Sequence, residues 1–354
     1  MKLGIHHREK SFSDRWIEYC VANSIDYKLV DCYSTDIIFQ LEDCDALMWH
    51  WNHFDPKAVL FARQLTRSLE TIGKIVFPNS ATSWHFDDKI GQKYLLEAIG
   101  APLVPSFVFY SKGEALDWVE TKRFPIVFKL RGGAGSVNVR LVRNLTEARK
   151  LIKIAFGSGF SGRNKLSGLK DRVRVFQRHR SLSTFSSVVK GVGRLFVSNS
   201  YERMHGKEKG YVYFQDFLEG NLYDTRIIVI GSRSFAIRRY NRKNDFRASG
   251  SGLIEYDHSS VDVRFIKEAF KISRILGTQS IALDFIVDDF SMPRIVEISY
   301  GFATKAYNDC PGYWDEQLNW YPGEFIPQHF MVSDLLSAVE SRNESRKSQT
   351  RSNN

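Results

Sequence analysis

The chain has 354 residues, enough to bury a sizeable core within two or three layers of secondary structure. It is 43% hydrophobic and 25% charged, as a water-soluble globular protein is, and it lacks any run of about 18 uncharged apolar residues that would span a membrane. The net charge of +10 is concentrated in two places, which leaves the rest close to neutral: twelve Lys or Arg against three acidic residues fall between Arg163 and Lys209, and four against one come after Ser341.

The opening residues, Met1 to Arg8, read as a first strand and not as a signal peptide. Apolar spacing then predicts a helix over 13–24, strands at 27–31 and 46–49, a helix from Pro56 to about Ile72, and a strand at 75–77 stopped by Pro78. Strand and helix alternating at this rhythm imply an α/β layer with parallel strands. A helix over 88–99, ended by Gly100, opens a different pattern: strand 106–110, helix 112–121, strand 125–130, a glycine-rich loop, strand 137–142 and a helix from Thr146. The basic stretch after it has two amphipathic patterns, Leu166/Leu169/Val173/Phe176 and Val188/Val189/Val192/Phe196. Strands at 211–218, 226–230 and 234–240, a helix at 264–276, and strands at 281–287 and 294–299 complete the core.

The expected organisation is α/β plus α+β. An N-terminal α/β domain covers 1–84, a small central α+β lobe with the glycine-rich loop covers 85–156, and a basic, partly helical insertion covers 157–209. A C-terminal α+β lobe with an antiparallel sheet covers 210–340, and a disordered Ser/Arg/Asn-rich tail covers 341–354. Cys20, Cys32, Cys44 and Cys310 form no CxxC pair and no zinc-type cluster, so they are expected as buried reduced thiols in a cytoplasmic protein.

Four segments carry candidate chemistry. In Phe124-Pro125-Ile126-Val127-Phe128-Lys129-Leu130-Arg131-Gly132-Gly133-Ala134-Gly135-Ser136, a strand delivers a lysine into a glycine loop. Glycines let backbone amides approach phosphate oxygens, and the absence of a following Lys-Ser/Thr excludes a Walker loop. Asp284 and Glu297 stand thirteen apart in two apolar strands, where an unpaired carboxylate is costly; as neighbours they would suit Mg²⁺. In Val212–Leu218 an apolar strand runs through Gln215-Asp216, a candidate hinge whose backbone reads adenine. Asp224-Thr225-Arg226, Arg238-Arg239 and Asp245-Phe246-Arg247 place arginines at strand ends, where their forked guanidinium suits phosphate and carboxylate.

The order Asp88-Lys89 with Gln92, Pro125…Lys129…Gly133, Gln215-Asp216-Phe217-Leu218, Asp224-Thr225-Arg226, Asp245-Phe246-Arg247 and Asp284…Glu297 resembles the ATP-grasp superfamily, above all its RimK-like branch of carboxylate-amine ligases. The resemblance spans about residues 75–305 and implies the ATP-grasp fold, with the N-terminal layer as a pre-ATP-grasp domain. It implies that Lys89 and Lys129 contact ATP phosphates, that Gly132, Gly133 and Ser136 belong to the loop covering them, and that Gln215, Asp216, Phe217 and Leu218 hold adenine. Asp284 and Glu297 would bind Mg²⁺, joined by Ser299 in the place of the family's usual Asn. Arg226 and Arg239 would steady an acyl phosphate, and Arg247 would hold the acceptor side. Two further departures are Ser249, where the RimK pattern has Asn, and Asn138, where a glycine is common.

The implied activity is ATP-dependent amide-bond formation through an acyl phosphate, on small-molecule carboxylate and amine substrates, with a saccharide- or peptide-linked acceptor in view. The alternatives are an ATP-grasp kinase and a non-catalytic nucleotide-binding protein. The insertion at 157–209 suits an anionic saccharide or a peripheral membrane contact better than nucleic acid, since aromatics are sparse among its charges. The aromatic segment Tyr300–Tyr321 is expected either to line the acceptor pocket or to pack as a C-terminal cap.

Overall fold

The structure is a computed structural model; it describes residues 1–53, 55–133, 138–161, 204–243 and 245–352, the side chains of 350–352 aside. The chain divides into two compact units, one of Met1–Asn52, Phe61–Phe86 and Asn221–Asn354, the other of His53–Leu60 and Asp87–Gly220.

The first elements are β1 (Lys2–His6), α1 (Phe12–Ala22), β2 (Asp26–Leu29), α2 (Ile37–Gln40), β3 (Ala46–Trp49), α3 (Pro56–Thr71), β4 (Ile75–Phe77) and α4 (Ser80–Ser83). The four strands form a parallel sheet in the order β2-β1-β3-β4. Helix α1 begins where the Ser11 hydroxyl accepts from the Ser13 amide, and it buries Phe12, Trp16 and Cys20, spaced one turn apart.

The middle of the chain supplies α5 (Lys89–Ala98), β5 (Ser106–Phe109), α6 (Lys112–Glu120), β6 (Ile126–Lys129), β7 (Val139–Val142), α7 (Leu145–Ala155), β8 (Phe160–Ser161), β9 (Lys207–Glu208) and β10 (Val212–Asp216). Strand β10 runs antiparallel between β5 and β6, giving the order β5-β10-β6-β7. This corrects the expected boundary at 210, because the strand assigned to the C-terminal lobe completes the central sheet. Val212 and Phe214 bury one face of it against Ile126, Phe128 and the apolar stripes of α6 and α7. Strand β8 pairs with β9, joining Ser161 to Lys207 at the base of the basic segment. The two amphipathic patterns expected inside that segment lie outside the described residues.

The C-terminal part contributes β11 (Tyr223–Ile230), β12 (Arg233–Tyr240), β13 (Ile254–Glu255), α8 (Val263–Leu276), β14 (Ser280–Val287), β15 (Pro293–Ser299), β16 (Gly312–Asp315), β17 (Trp320–Pro322) and α9 (Pro327–Ser352). Its sheet has the order β15-β14-β11-β12-β16-β17, with β13 beside β12. One core unites the two sheets of this unit: Leu3, Ile5, Trp16 and Phe77 pack with Ile228, Phe235, Met331 and Val339. The N-terminal layer is therefore not a domain of its own over 1–84. The tail is also corrected, since α9 continues through Ser352. Arg, Lys, Glu and Gln make up half of residues 341–352, and Arg342 fastens the helix by donating to the carbonyls of Asp45 and Gly73 at 3.0 and 3.2 Å. All four cysteines are free and buried. No helix among the described residues is long and apolar enough to cross a membrane.

The segment after Tyr300 packs into the body. Phe302, Tyr307 and Cys310 join the shared core, and β16 and β17 extend the sheet as a hairpin. Gly312 opens that hairpin where no side chain fits: a Cβ would stand 2.3 Å from the Tyr321 carbonyl oxygen and 2.7 Å from the Trp320 ring. Gly312→Ala is expected to destabilise the protein by about 2 kcal/mol, read as a lower urea midpoint at unchanged slope. An unaltered midpoint would mean that the hairpin yields freely.

Candidate functional site

In the central unit, the buried run Ile126–Phe128 ends at Lys129, which lies opposite Tyr213 and Val139. The chain then turns through Arg131, Gly132 and Gly133. Gly133 has φ 111°, and a Cβ there would meet the Asn138 amide nitrogen at 2.6 Å, so both backbone and space demand glycine. Asn138 Nδ2 donates to the Gly132 carbonyl at 2.9 Å, so the residue that departs from the family pattern pins the loop across its base.

The start of α5 holds the other side. Asp88 caps the helix by accepting from the Gly91 amide at 2.9 Å. Lys89 donates from its backbone to the Arg131 carbonyl at 3.0 Å and from Nζ to the Gly133 carbonyl at 2.8 Å. Asp87, at φ 57°, accepts from the Gly133 amide at 2.6 Å and faces His53 Nδ1 at 3.0 Å. Burial pushes the Asp87 carboxyl up, but His53, Lys89 and the Gly133 amide outweigh it and hold it below the ordinary carboxylate range. Both backbone groups of Gly133 are thus gripped, one by an anion and one by a cation. Lys89 and Lys129 are only 4% and 3% exposed.

Sequence reasoning did not single out Asp87 and His53; the only signal was the Asp87-Asp88-Lys89 cluster. Ser136 lies outside the described residues. Gln215 donates to the Ser106 hydroxyl at 2.9 Å, and Asp216 lies 3.3 Å from the Lys122 ammonium. Phe217 and Leu218 come after the end of β10 and are half-buried. The Gln215 and Asp216 side chains are thus both engaged inside the unit.

In the other unit, register assembles a charged face. Asp224 lies opposite Arg239, Arg226 opposite Asp284, Asp284 opposite Glu297, and Ala282 opposite Ser299. Directly opposed residues of an antiparallel sheet share a face, as do residues two apart along a strand. Asp224, Arg226, Arg239, Asp284, Glu297 and Ser299 therefore point to one side, on the same side as the core residues Ile228 and Ile237. A register shift between Asp284 and Phe285 breaks the ladder beside the two carboxylates, as bulges often do next to active sites.

Arg226 grips Asp284 in a fork, with Nε at 2.5 Å and Nη2 at 2.7 Å from its two oxygens. Arg239 forks onto Asp224 at 2.7 Å twice and reaches Asp284 at 2.8 Å. Burial pushes Asp284 up, yet the two guanidinium groups override it and hold the carboxyl well below the usual range. Burial raises Asp224, with Arg239 opposing. The buried Tyr307 closes over this cluster: burial pushes its phenol up while Arg226 and Arg239 pull against that. Arg247 lies beyond the end of β12, off this ladder, and its guanidinium forks onto Asp245 at 2.6 to 3.1 Å.

The donor chemistry suits a hard cation. Asp284 and Glu297 offer carboxylate oxygens side by side, and a carboxylate forked by arginine keeps lone pairs for a metal. The Ser299 hydroxyl donates to the Gly301 carbonyl at 2.9 Å and accepts from the Gly301 amide at 3.2 Å. Among the described residues no three His, Cys, Asp or Glu side chains gather as a metal cage.

No protein-family model matches the sequence, and no curated protein matches it either. Solved structures do. A RimK-domain ATP-grasp protein from Sphaerobacter thermophilus is 14% identical, with 95% of this chain and 99% of that one covered at a TM-score of 0.55. The D-alanine–D-alanine ligase of Bacillus anthracis, complexed with ATP, is 12% identical over 96% of this chain and 98% of its own, also at 0.55. A D-cycloserine synthetase is 14% identical over 95% and 100%, at 0.54. At such identities the likeness is one of architecture, and that architecture is the ATP-grasp fold.

Proposed function

We propose that this protein is an ATP-dependent ligase that activates a carboxylate as an acyl phosphate and passes the acyl group to an amine. The observation that carries the reading is the charged face of the C-terminal sheet, where Asp284 and Glu297 stand in register beside Arg226 and Arg239. A structural ion-pair network would need only matched charges. Here two carboxylates share a face at a register break, and the guanidinium groups beside them are shaped for phosphate.

Lys89, Lys129 and the Gly132–Gly133 turn bind the nucleotide phosphates, and the main chain at 215–218 binds its base. Asp284 and Glu297 hold Mg²⁺, which, when bound, offsets the charge of the phosphates. Arg226 and Arg239 orient the carboxylate for attack on the terminal phosphorus. They then neutralise the oxygens of the acyl phosphate and of the tetrahedral adduct that the amine forms from it. Collapse of that adduct releases phosphate and leaves the amide. Arg247 holds the acceptor side. The named functions of the similar structures, two ligating or synthetic enzymes among them, agree with this chemistry.

The test is a screen of purified protein with ATP and Mg²⁺ against amino acids, uronic acids and short peptides. ADP and inorganic phosphate are expected together, and only when a carboxylate and an amine are both present. ADP without phosphate would identify a kinase. Failure to bind ATP at all would end the proposal.

A further inference from the structure

In the N-terminal sheet, β1 has β2 on one side and β3 on the other, so the chain's course reverses between β1 and β3. In open parallel sheets ligands bind outside the carboxyl ends of the strands at such a switch point. Those ends are His6 and Trp49; Arg8 lies just past the first, and His50-Trp51-Asn52 just past the second. Arg8 Nη1 donates to Asn52 Oδ1 at 3.3 Å, so its side chain bridges the switch point.

Arg8 differs from several other arginines of this unit. Arg226, Arg239, Arg247, Arg294 and Arg342 each meet a carboxylate within 3.2 Å. Arg8 is half-buried, and among the described residues its guanidinium has the neutral Asn52 amide and no carboxylate. A guanidinium drawn out of water without a counter-charge favours an anion there.

The same place adjoins the strand that carries Glu297. Tyr300 comes directly after Ser299, is fully buried, and donates its hydroxyl to the Trp51 carbonyl. The charges of Arg8 and Arg63 both act on its phenol. His50 Nε2 lies 3.7 Å from where a Cβ on Gly301 would stand. The ends of β1, β3 and β15 are therefore contiguous.

We propose that Arg8 anchors a separate anion-binding subsite at the carboxyl ends of β1 and β3, which takes a carboxylate or phosphate group carried by the substrate. The role in substrate selection rests on the ligase reading, whereas the binding of an anion does not. One of the two substrates then carries an anionic group besides any carboxylate that is activated, and Arg8 sets its orientation through a two-pronged hydrogen bond.

The experiment uses the full chain with saturating MgADP, which occupies any nucleotide-phosphate site. Inorganic phosphate and acetate are titrated separately, and tryptophan fluorescence is followed, since Trp49 and Trp51 flank the subsite. Saturable binding of at least one anion is expected, weakened about tenfold in Arg8→Gln and less in Arg8→Lys, which keeps charge but loses the fork. The arm that binds more tightly identifies the anion as phosphate or carboxylate. MgADP affinity measured in the same variants should stay unchanged. Equal anion affinity in the wild type and Arg8→Gln, or no saturable response to either anion, would overturn the proposal. If the protein binds no MgADP, the ligase reading fails, while the loss of anion binding in Arg8→Gln still reports on the subsite.

Discussion

Asp284→Ala is expected to abolish ATP turnover and to lower the stability of the protein by about 3 kcal/mol. The carboxylate it removes is 6% exposed and is the partner of two guanidinium groups. Without it Arg226 loses the carboxylate it forks and Arg239 keeps its fork on Asp224, so two buried cations lose the counter-charge they share. Urea unfolding measures the loss, and ADP release, down by at least about a hundredfold, measures the chemistry. Asp284→Asn keeps an acceptor for Arg226 and should lie between the two. Acid titration gives an independent check. The folded carboxyl titrates below its ordinary value, so its contribution is complete above about pH 4 and fades as the pH falls further. The alanine variant should therefore unfold less steeply in acid than the wild type. A variant as stable and as active as the wild type would show that this face has neither role.

The second large effect belongs to Asp87. Removing its carboxylate in Asp87→Ala frees the Gly133 amide and leaves His53 without its acid, and MgATP affinity should fall at least about tenfold as the turn loses its geometry. Asp87→Asn offers the same oxygen to the Gly133 amide and should recover most of that affinity. The opposite outcome has a distinct meaning. If both variants bind MgATP more tightly, the carboxylate competes with a phosphate for the Gly133 amide and does not support the turn. Calorimetric titration of the three proteins decides between the two.

Much of the architecture was legible because it is local. Alternating strands and helices, Pro56 at the start of α3 and Gly100 after α5 announce themselves within a dozen residues. The order of the motifs singled out Lys89, Lys129, Asp284 and Glu297 as candidates, and the register of β14 and β15 places the last two opposite each other. What stayed hidden was set by distant partners. Nothing in Val212–Asp216 reveals that its neighbours are β5 and β6, because a buried strand shows the same apolar run in either sheet. The pairing of His53 with Asp87 crosses α3, β4 and α4, and Asp284 lies 58 residues from Arg226. The tail misled because composition was weighed against helix propensity, and the contact that holds it, Arg342 on Asp45, spans 297 residues.

The shared core that joins Leu3 to Val339 also dictates a schedule for synthesis. The unit ending at Gly220 has all its residues as soon as that glycine has left the ribosome. The outer unit must wait for the final helix, so its first sheet emerges early and stays without half of its apolar partners while nearly three hundred further residues are made. Nascent chains stalled near residue 250 should already protect the inner unit from protease, while the first fifty residues are still cut.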